Sequence, residues 1–220
     1  LTLRKADTLE VETLQLSSQD TNKLERAQVG DLSGDFIQDI ILTSSGSAQG
    51  MAGSVFIYDG KQLRSKQDSQ LLSSFKPYQN ATTAPWAFNS DFTGDGHREL
   101  VTGGFVSNSG SKVSLDDFEI TGWQASDDFK DWTASYHHNP WQGLGDIPEF
   151  KLDISRTSFA VGDFNLDNFD DYAVSYLVND ELRVRLIDGA SVSLFLQSGI
   201  NQGGYLPETS ILSDMTYASK

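Results

Sequence analysis

A nine-residue acidic pattern recurs three times in this chain of 220 residues, each copy lying between short runs of β-forming residues. The copies are Asp31-Leu-Ser-Gly-Asp-Phe-Ile-Gln-Asp39, Asp91-Phe-Thr-Gly-Asp-Gly-His-Arg-Glu99 and Asp163-Phe-Asn-Leu-Asp-Asn-Phe-Asp-Asp171. Their first residues are separated by 60 and 72 positions. Self-similarity on this scale means that the fold is assembled from repeats of one supersecondary unit. A lone Asp/Gly/Asn cluster marks only a turn, because these residues tolerate left-handed backbone and hydrogen-bond to their own chain. Three in one frame, each closing on an acid before an apolar run, point to a shared ligand.

Positions 1, 3, 5 and 9 of every copy carry an oxygen-bearing side chain. They are Asp31, Ser33, Asp35 and Asp39, then Asp91, Thr93, Asp95 and Glu99, then Asp163, Asn165, Asp167 and Asp171. Position 7, occupied by Ile37, His97 and Phe169, has no constant side chain and would offer its carbonyl. Calcium takes about six to eight oxygen ligands in a forgiving geometry, which a tightly wound loop supplies from alternate positions. The expected cofactor is therefore Ca2+, up to three ions. An EF-hand fits poorly, since its loop runs to twelve residues between helices, whereas these flanks read as strands.

Each loop is preceded by a β-type segment (residues 26–30, 85–89 and 158–162) and followed by another (residues 40–43, 100–102 and 172–177). Third strands are expected at residues 55–58, 118–120 and 182–187. The first and last of these precede Asp59-Gly60 and Asp188-Gly189, and the middle one precedes Thr121-Gly122. Asp-Gly after an alternating run reads as a hairpin turn. Fourth strands are expected at residues 71–75 and 191–196. Four antiparallel strands per repeat of about 60 residues describe a propeller blade.

These residues resemble the FG-GAP/VCBS-type repeats of integrin α-subunit propellers and related secreted proteins. The likeness is carried by Val29-Gly-Asp-Leu-Ser-Gly-Asp35 with Asp39-Ile40, by residues 91–100, and by Val161-Gly-Asp-Phe-Asn-Leu-Asp167 with Asp171-Tyr172, and it covers about residues 26–195. It implies that positions 1, 3, 5, 7 and 9 bind calcium in the turn between the first two strands of a blade. Gly96 and Asn168 match the family preference at position 6; Phe36 departs from it, and the Phe-Gly and Gly-Ala-Pro signatures are degenerate.

The expected fold is all-β: a β-propeller segment of about three four-stranded antiparallel blades forming an incomplete ring. The repeats span about residues 26–84, 85–157 and 158–220, with residues 1–25 as outer strands of a preceding blade and residues 116–150 as an inserted loop. Closure takes about four to eight blades, so the expected partners are the remaining blades, from the parent chain or another subunit. The tail from Asn201 reads as the approach to a further repeat.

A formal net charge of −15 argues against nucleic acid as a partner. Three calcium ions would cancel six of those charges and leave −9. No segment approaches the roughly 20 apolar residues of a membrane span. Cysteine is absent, which removes disulfides and thiolate metal sites and leaves the compartment open. Weak calcium loops fill where calcium is millimolar, so the expected location is extracellular, at the cell surface or periplasmic. The sequon Asn80-Ala81-Thr82 marks Asn80 as a glycosylation candidate.

Trp123, Trp132, Tyr136 and Trp141 lie in the expected insertion, and the reading there is a recognition loop for a protein or glycan, or a private satellite core beneath a long loop. His137 and His138 are adjacent, so on a strand they face opposite ways and do not chelate one ion together. Gly-x-Ser-x-Gly, His-Glu-x-x-His and Gly-Lys-Ser/Thr motifs are all missing. The function expected is a calcium-stabilised module for adhesion, ligand recognition or assembly, not an enzyme. The alternative is a carbohydrate-binding or carbohydrate-active propeller (hydrolase or lyase) using paired carboxylates.

Overall fold

The computed structural model describes residues 2–4, 11–13, 23–45, 53–65, 71–79, 83–106, 117–139, 157–178, 181–197 and 211–217. Short apolar runs bounded by turn residues form strands as expected, and these pair in chain order into antiparallel meanders. The first sheet is β3 (Lys23–Gly30), β4 (Asp39–Ser45), β5 (Val55–Tyr58) and β6 (Leu71–Phe75), in that order. The second is β7 (Trp86–Ser90), β8 (Glu99–Phe105), β9 (Phe118–Ala125) and β10 (Trp132–His138). The third is β11 (Ser158–Gly162), β12 (Asp171–Val178), β13 (Glu181–Ile187) and β14 (Ile211–Tyr217). A separate ribbon pairs β1 (Thr2–Arg4) with β2 (Val11–Thr13); both fall inside residues 1–25, the stretch expected to hold outer strands.

Each sheet has two faces because successive side chains alternate. Ile41, Val55 and Ile57 of the first sheet pack with Leu32 against Ala87, Leu100 and Trp123 of the second. On its opposite face the second sheet presents Val101, Phe118, Ile120 and Tyr136 to Phe159, Tyr172, Val174 and Ile187 of the third. Glycines in β8 and β9 make room for this packing. A Cβ on Gly103 would strike the Phe159 ring, and one on Gly122 the Tyr136 ring. The three sheets therefore stack in series, face to face.

Four expectations need correction. Thr121-Gly122 is not a turn: it lies within β9, which runs to Ala125 before a turn at residues 126–131 leads into β10. The supposed insertion at residues 116–150 thus supplies the third and fourth strands of the second sheet. Residues 191–196 are not a strand but belong to helix α2 (Gly189–Gln197), and the fourth strand of the third sheet is β14, inside the tail read as the approach to another repeat. Finally, Asp-Gly forms no hairpin. Asp59 Oδ1 accepts the N–H groups of Lys61 and Gln62 at 2.7 and 3.0 Å, capping α1 (Gly60–Ser65), and Asp188 Oδ2 accepts that of Ser191 at 3.0 Å, capping α2. The Asp is an N-cap, and its caps compete successfully with the type I′ turn.

Two rings proposed for recognition are core. Trp123 is buried between the first two sheets, edge-on to Phe75, and its indole N–H donates to Thr102 Oγ1 at 2.9 Å. Tyr136 is fully buried and its hydroxyl donates to that of Tyr172 at 2.8 Å. Their polar edges, which suggested ligand contact, are satisfied inside by Thr102 and by Tyr172. Trp132 stays half-buried, stacked on Phe75 at 5.7 Å. Trp141 and Asn80 lie outside the described residues.

The adjacent histidines do face apart. His137 Nδ1 contacts Glu119 Oε1 at 2.6 Å, whereas His138 is buried with neither ring nitrogen hydrogen-bonded. Burial, and secondarily the charge of Arg185, pushes the His138 pKa down to about 4. The unfolded chain takes up this proton near pH 6.5 and the folded chain does not until about pH 4, so stability falls as pH drops through that window. The loss reaches about 3 kcal/mol. Urea midpoints between pH 7.5 and 4 should show this slope, and His138→Met should flatten it; an unchanged slope in that variant would assign it elsewhere.

Candidate metal centre

Each acidic nonapeptide occupies the same corner, between the first and second strands of its sheet, with position 9 opening the second strand. The backbone of the three loops is the same. Positions 4 and 6 are left-handed throughout: Gly34 and Phe36 at φ of 71° and 64°, Gly94 and Gly96 at 72° and 86°, Leu166 and Asn168 at 65° and 71°. Phe36 stood out in the sequence as a departure at position 6. Leu166, the equivalent departure at position 4, is found only in the structure, although a search for Gly at that position would have singled it out.

The hydrogen bonds repeat as faithfully. The position 1 carboxylate accepts the N–H groups of positions 5 and 6: Asp31 from Asp35 and Phe36 at 3.1 and 2.8 Å, Asp91 from Asp95 and Gly96 at 3.1 and 2.9 Å, Asp163 from Asp167 and Asn168 at 3.0 Å each. The position 5 carboxylate accepts the N–H of position 7, with Asp35, Asp95 and Asp167 taking those of Ile37, His97 and Phe169 at 2.8 to 2.9 Å. Positions 1 and 5 are thereby tied to the backbone of the same turn in every loop.

Position 9 has a second task. In the first loop Asp39 is fully buried; its Oδ2 accepts the N–H groups of Leu32 and Ser33 at 3.0 Å each, and its Oδ1 accepts that of Gly60 at 3.0 Å. Asp171 repeats this with Phe164, Asn165 and Gly189 at 3.0, 3.2 and 2.8 Å. The two glycines are required by close approach, because a Cβ on Gly60 would strike the Gln38 carbonyl and one on Gly189 that of Asp170. Burial raises the pKa of both carboxyls, and the three N–H donors pull it back.

In the second loop Glu99 replaces Asp. Its Oε1 accepts the Thr93 hydroxyl at 2.9 Å, while Oε2 is buried without a hydrogen-bond partner. Burial is the main cause that pushes its pKa up to about 7; Thr93 lowers it and the charges of Asp95 and Asp91 raise it further. In the first loop Ser33 Oγ is likewise buried without a partner. Two of the expected ligand atoms, at position 3 of the first loop and position 9 of the second, are thus desolvated oxygens without a hydrogen-bond partner. Among the described residues, however, no three His, Cys, Asp or Glu side chains form a cage by themselves. The expected donor set draws instead on positions 3 and 7 for a hydroxyl or amide and a carbonyl.

The second and third loops touch. Asp170 Oδ2 accepts the Asp91 N–H at 3.2 Å and lies 3.5 Å from the Arg98 guanidinium, Ser193 Oγ donates to the Thr93 carbonyl at 3.0 Å, and the Phe169 ring lies over Gly94. Compared with known proteins, the chain matches no family model and no curated sequence.

Two outcomes follow from this geometry. Asp39→Ala and Asp171→Ala each strand three N–H groups and should cost about 3 kcal/mol or more in urea unfolding, with EDTA present as well as with calcium. A cost seen only with calcium would make position 9 a ligand and nothing else. Phe36, 95% exposed, and Leu166, 85% exposed, gain nothing from burial in return for left-handed strain. Phe36→Gly and Leu166→Gly should each stabilise by up to about 1 kcal/mol, a rise of about 2 to 4 °C in Tm; a fall in Tm would mean that these side chains have partners in the fold.

Proposed function

We propose that the chain is a calcium-stabilised segment of an extracellular or cell-surface β-propeller of the FG-GAP/VCBS type, serving adhesion, ligand recognition or assembly and not catalysis. The observation that carries this reading is the shared loop. Three chemically different nonapeptides adopt one backbone, with left-handed residues at positions 4 and 6 even where these are Phe and Leu, at one corner of three successive sheets. The series of four-stranded meanders, with first strands β3, β7 and β11 packed in succession, is the arrangement that blades around an axis require.

Asp31, Ser33, Asp35 and the carbonyl of Ile37 would hold the ion in the first loop. Asp91, Thr93, Asp95, the His97 carbonyl and Glu99 would do so in the second, and Asp163, Asn165, Asp167 and the Phe169 carbonyl in the third. Asp39 and Asp171 add charge beside their loops while keeping their backbone hydrogen bonds. Bound calcium would supply the positive charge that relieves repulsion among these acids. The ion's role is structural, since the loops lie at strand junctions where order, not chemistry, is gained.

Binding to the folded chain alone stabilises it by about 2.7 kcal/mol per site at a hundredfold excess over Kd. Melting in millimolar calcium should therefore exceed melting in EDTA by several degrees. Equilibrium dialysis should find up to three ions, reduced by one for each of Asp35→Asn, Asp95→Asn and Asp167→Asn. Identical melting curves with no bound calcium would overturn the proposal.

A further inference from the structure

The second loop is braced from outside by its neighbour. Asp170, position 8 of the third loop, accepts the Asp91 N–H through Oδ2 at 3.2 Å and lies 3.5 Å from the Arg98 guanidinium. Ser193, 1% exposed on α2, donates its hydroxyl to the Thr93 carbonyl at 3.0 Å. The Phe169 ring, at position 7 of the third loop, comes so close to Gly94 that a Cβ there would lie 2.5 Å from it. Positions 1, 3, 4 and 8 of the second loop are therefore held by the third loop and by the helix behind it.

The residues that do this take their own places from the order of the third loop. Phe169 gives that loop its position 7 carbonyl, and Asp171, position 9, accepts the N–H of Gly189, which opens α2 one turn before Ser193. Asp170 lies between Phe169 and Asp171 in the chain and moves with them. The second sheet has no helix after its third strand, so its loop lacks the anchorage that Gly60 and Gly189 give the other two. The first loop differs again. A Cβ on Gly34 would meet nothing within 4 Å, and position 8 of the following loop is Arg98 where the third loop has Asp170. Among the described residues, the hydrogen bonds of the first loop stay within its own sheet.

We infer that Asp170, Ser193 and Phe169 are positioning residues for the cation site of the second loop, so that the second and third loops fill as a coupled pair and the first fills alone. The inference rests on the calcium reading above and adds to it an order among the sites. Ordering the third loop fixes Asp170 and α2, and these fix Asp91 and Thr93, two donors of the second loop. The second site then has less ordering to do when it fills, which is positive cooperativity without any shared ligand. By linkage, filling the second loop strengthens the third by the same factor.

A calcium titration followed through the amide signals of Gly34, Gly96 and Asn168 reads the three loops separately. Asp167→Asn removes a donor of the third loop; it should raise the Kd of the second loop at least about fivefold, the lower end of ordinary coupling, and leave that of the first unchanged. Asp95→Asn should raise the Kd of the third loop by the same factor, and this reciprocal arm carries the test if Asp167→Asn fails to fold by circular dichroism. In Asp170→Ala combined with Ser193→Ala, silencing the third loop should no longer affect the second. Asp170→Asn keeps an acceptor for the Asp91 N–H and should retain the coupling, which a role in charge alone would not. An unchanged Kd at the second loop in Asp167→Asn overturns the inference and leaves the proposed function standing. A Kd that rises equally at the first loop also overturns it, since the effect would then be a general loosening. Absence of calcium at every loop of the unmodified chain overturns both.

Discussion

The architecture depends on one interaction made twice: a buried carboxylate at the start of a second strand that accepts three backbone N–H groups from two distant pieces of chain. Asp39 binds the beginning of its own loop and, 21 residues on, the residue that opens α1; Asp171 does the same for α2 across 18 residues. Without that acceptor the loop amides would face the protein interior unpaired. A charged acceptor is also stronger than a neutral one, and the three N–H groups pull back the pKa that burial raises in each carboxyl. The glycine at the far end is the other half of the device, since no side chain fits between it and the loop carbonyl.

The second sheet omits the device and compensates. It has no Asp-Gly after its third strand, and Glu99 extends one carbon further to meet Thr93 within the loop. The space that a helix fills in the other two sheets is bypassed by a longer β9, and the loop is braced instead from the third sheet, through Asp170, Ser193 and Phe169. Loop and neighbour are thus coupled in the middle of the stack. At its outer end, where no following sheet is described, position 2 is left partly exposed.

Much of this was legible in the sequence because it is local. Alternating apolar residues next to acidic turns defined all the first and second strands, and the nine-residue frame located every loop. What escaped notice depends on long-range partners. Asp59-Gly60 and Asp188-Gly189 read as hairpin turns because nothing nearby reveals that the glycine N–H is claimed by an acid about 20 residues earlier. Ser191 to Leu196 alternates like a strand, yet a capped helix start and the packing of Val192 into the core override that preference. Trp123 and Tyr136 read either as recognition aromatics or as a satellite core beneath a loop, and only the neighbouring sheets show that their rings belong to the packing between sheets.

The loops present a further asymmetry that bears on what they are for. A turn selected only for geometry would carry Gly or Asn at both left-handed positions, as the second loop does with Gly94 and Gly96. The outer two loops instead place Phe36 and Leu166 there, almost wholly in solvent, accepting strain of about 1 to 2 kcal/mol each. Hydrogen bonds from positions 1 and 5 hold the backbone in that conformation regardless, so the loop framework is strong enough to impose an unfavourable φ on a bulky residue. Phe36 and Leu166, 95% and 85% exposed, contribute no burial in return for that strain, so the loop conformation is set by its acids and not by the side chains at its left-handed positions.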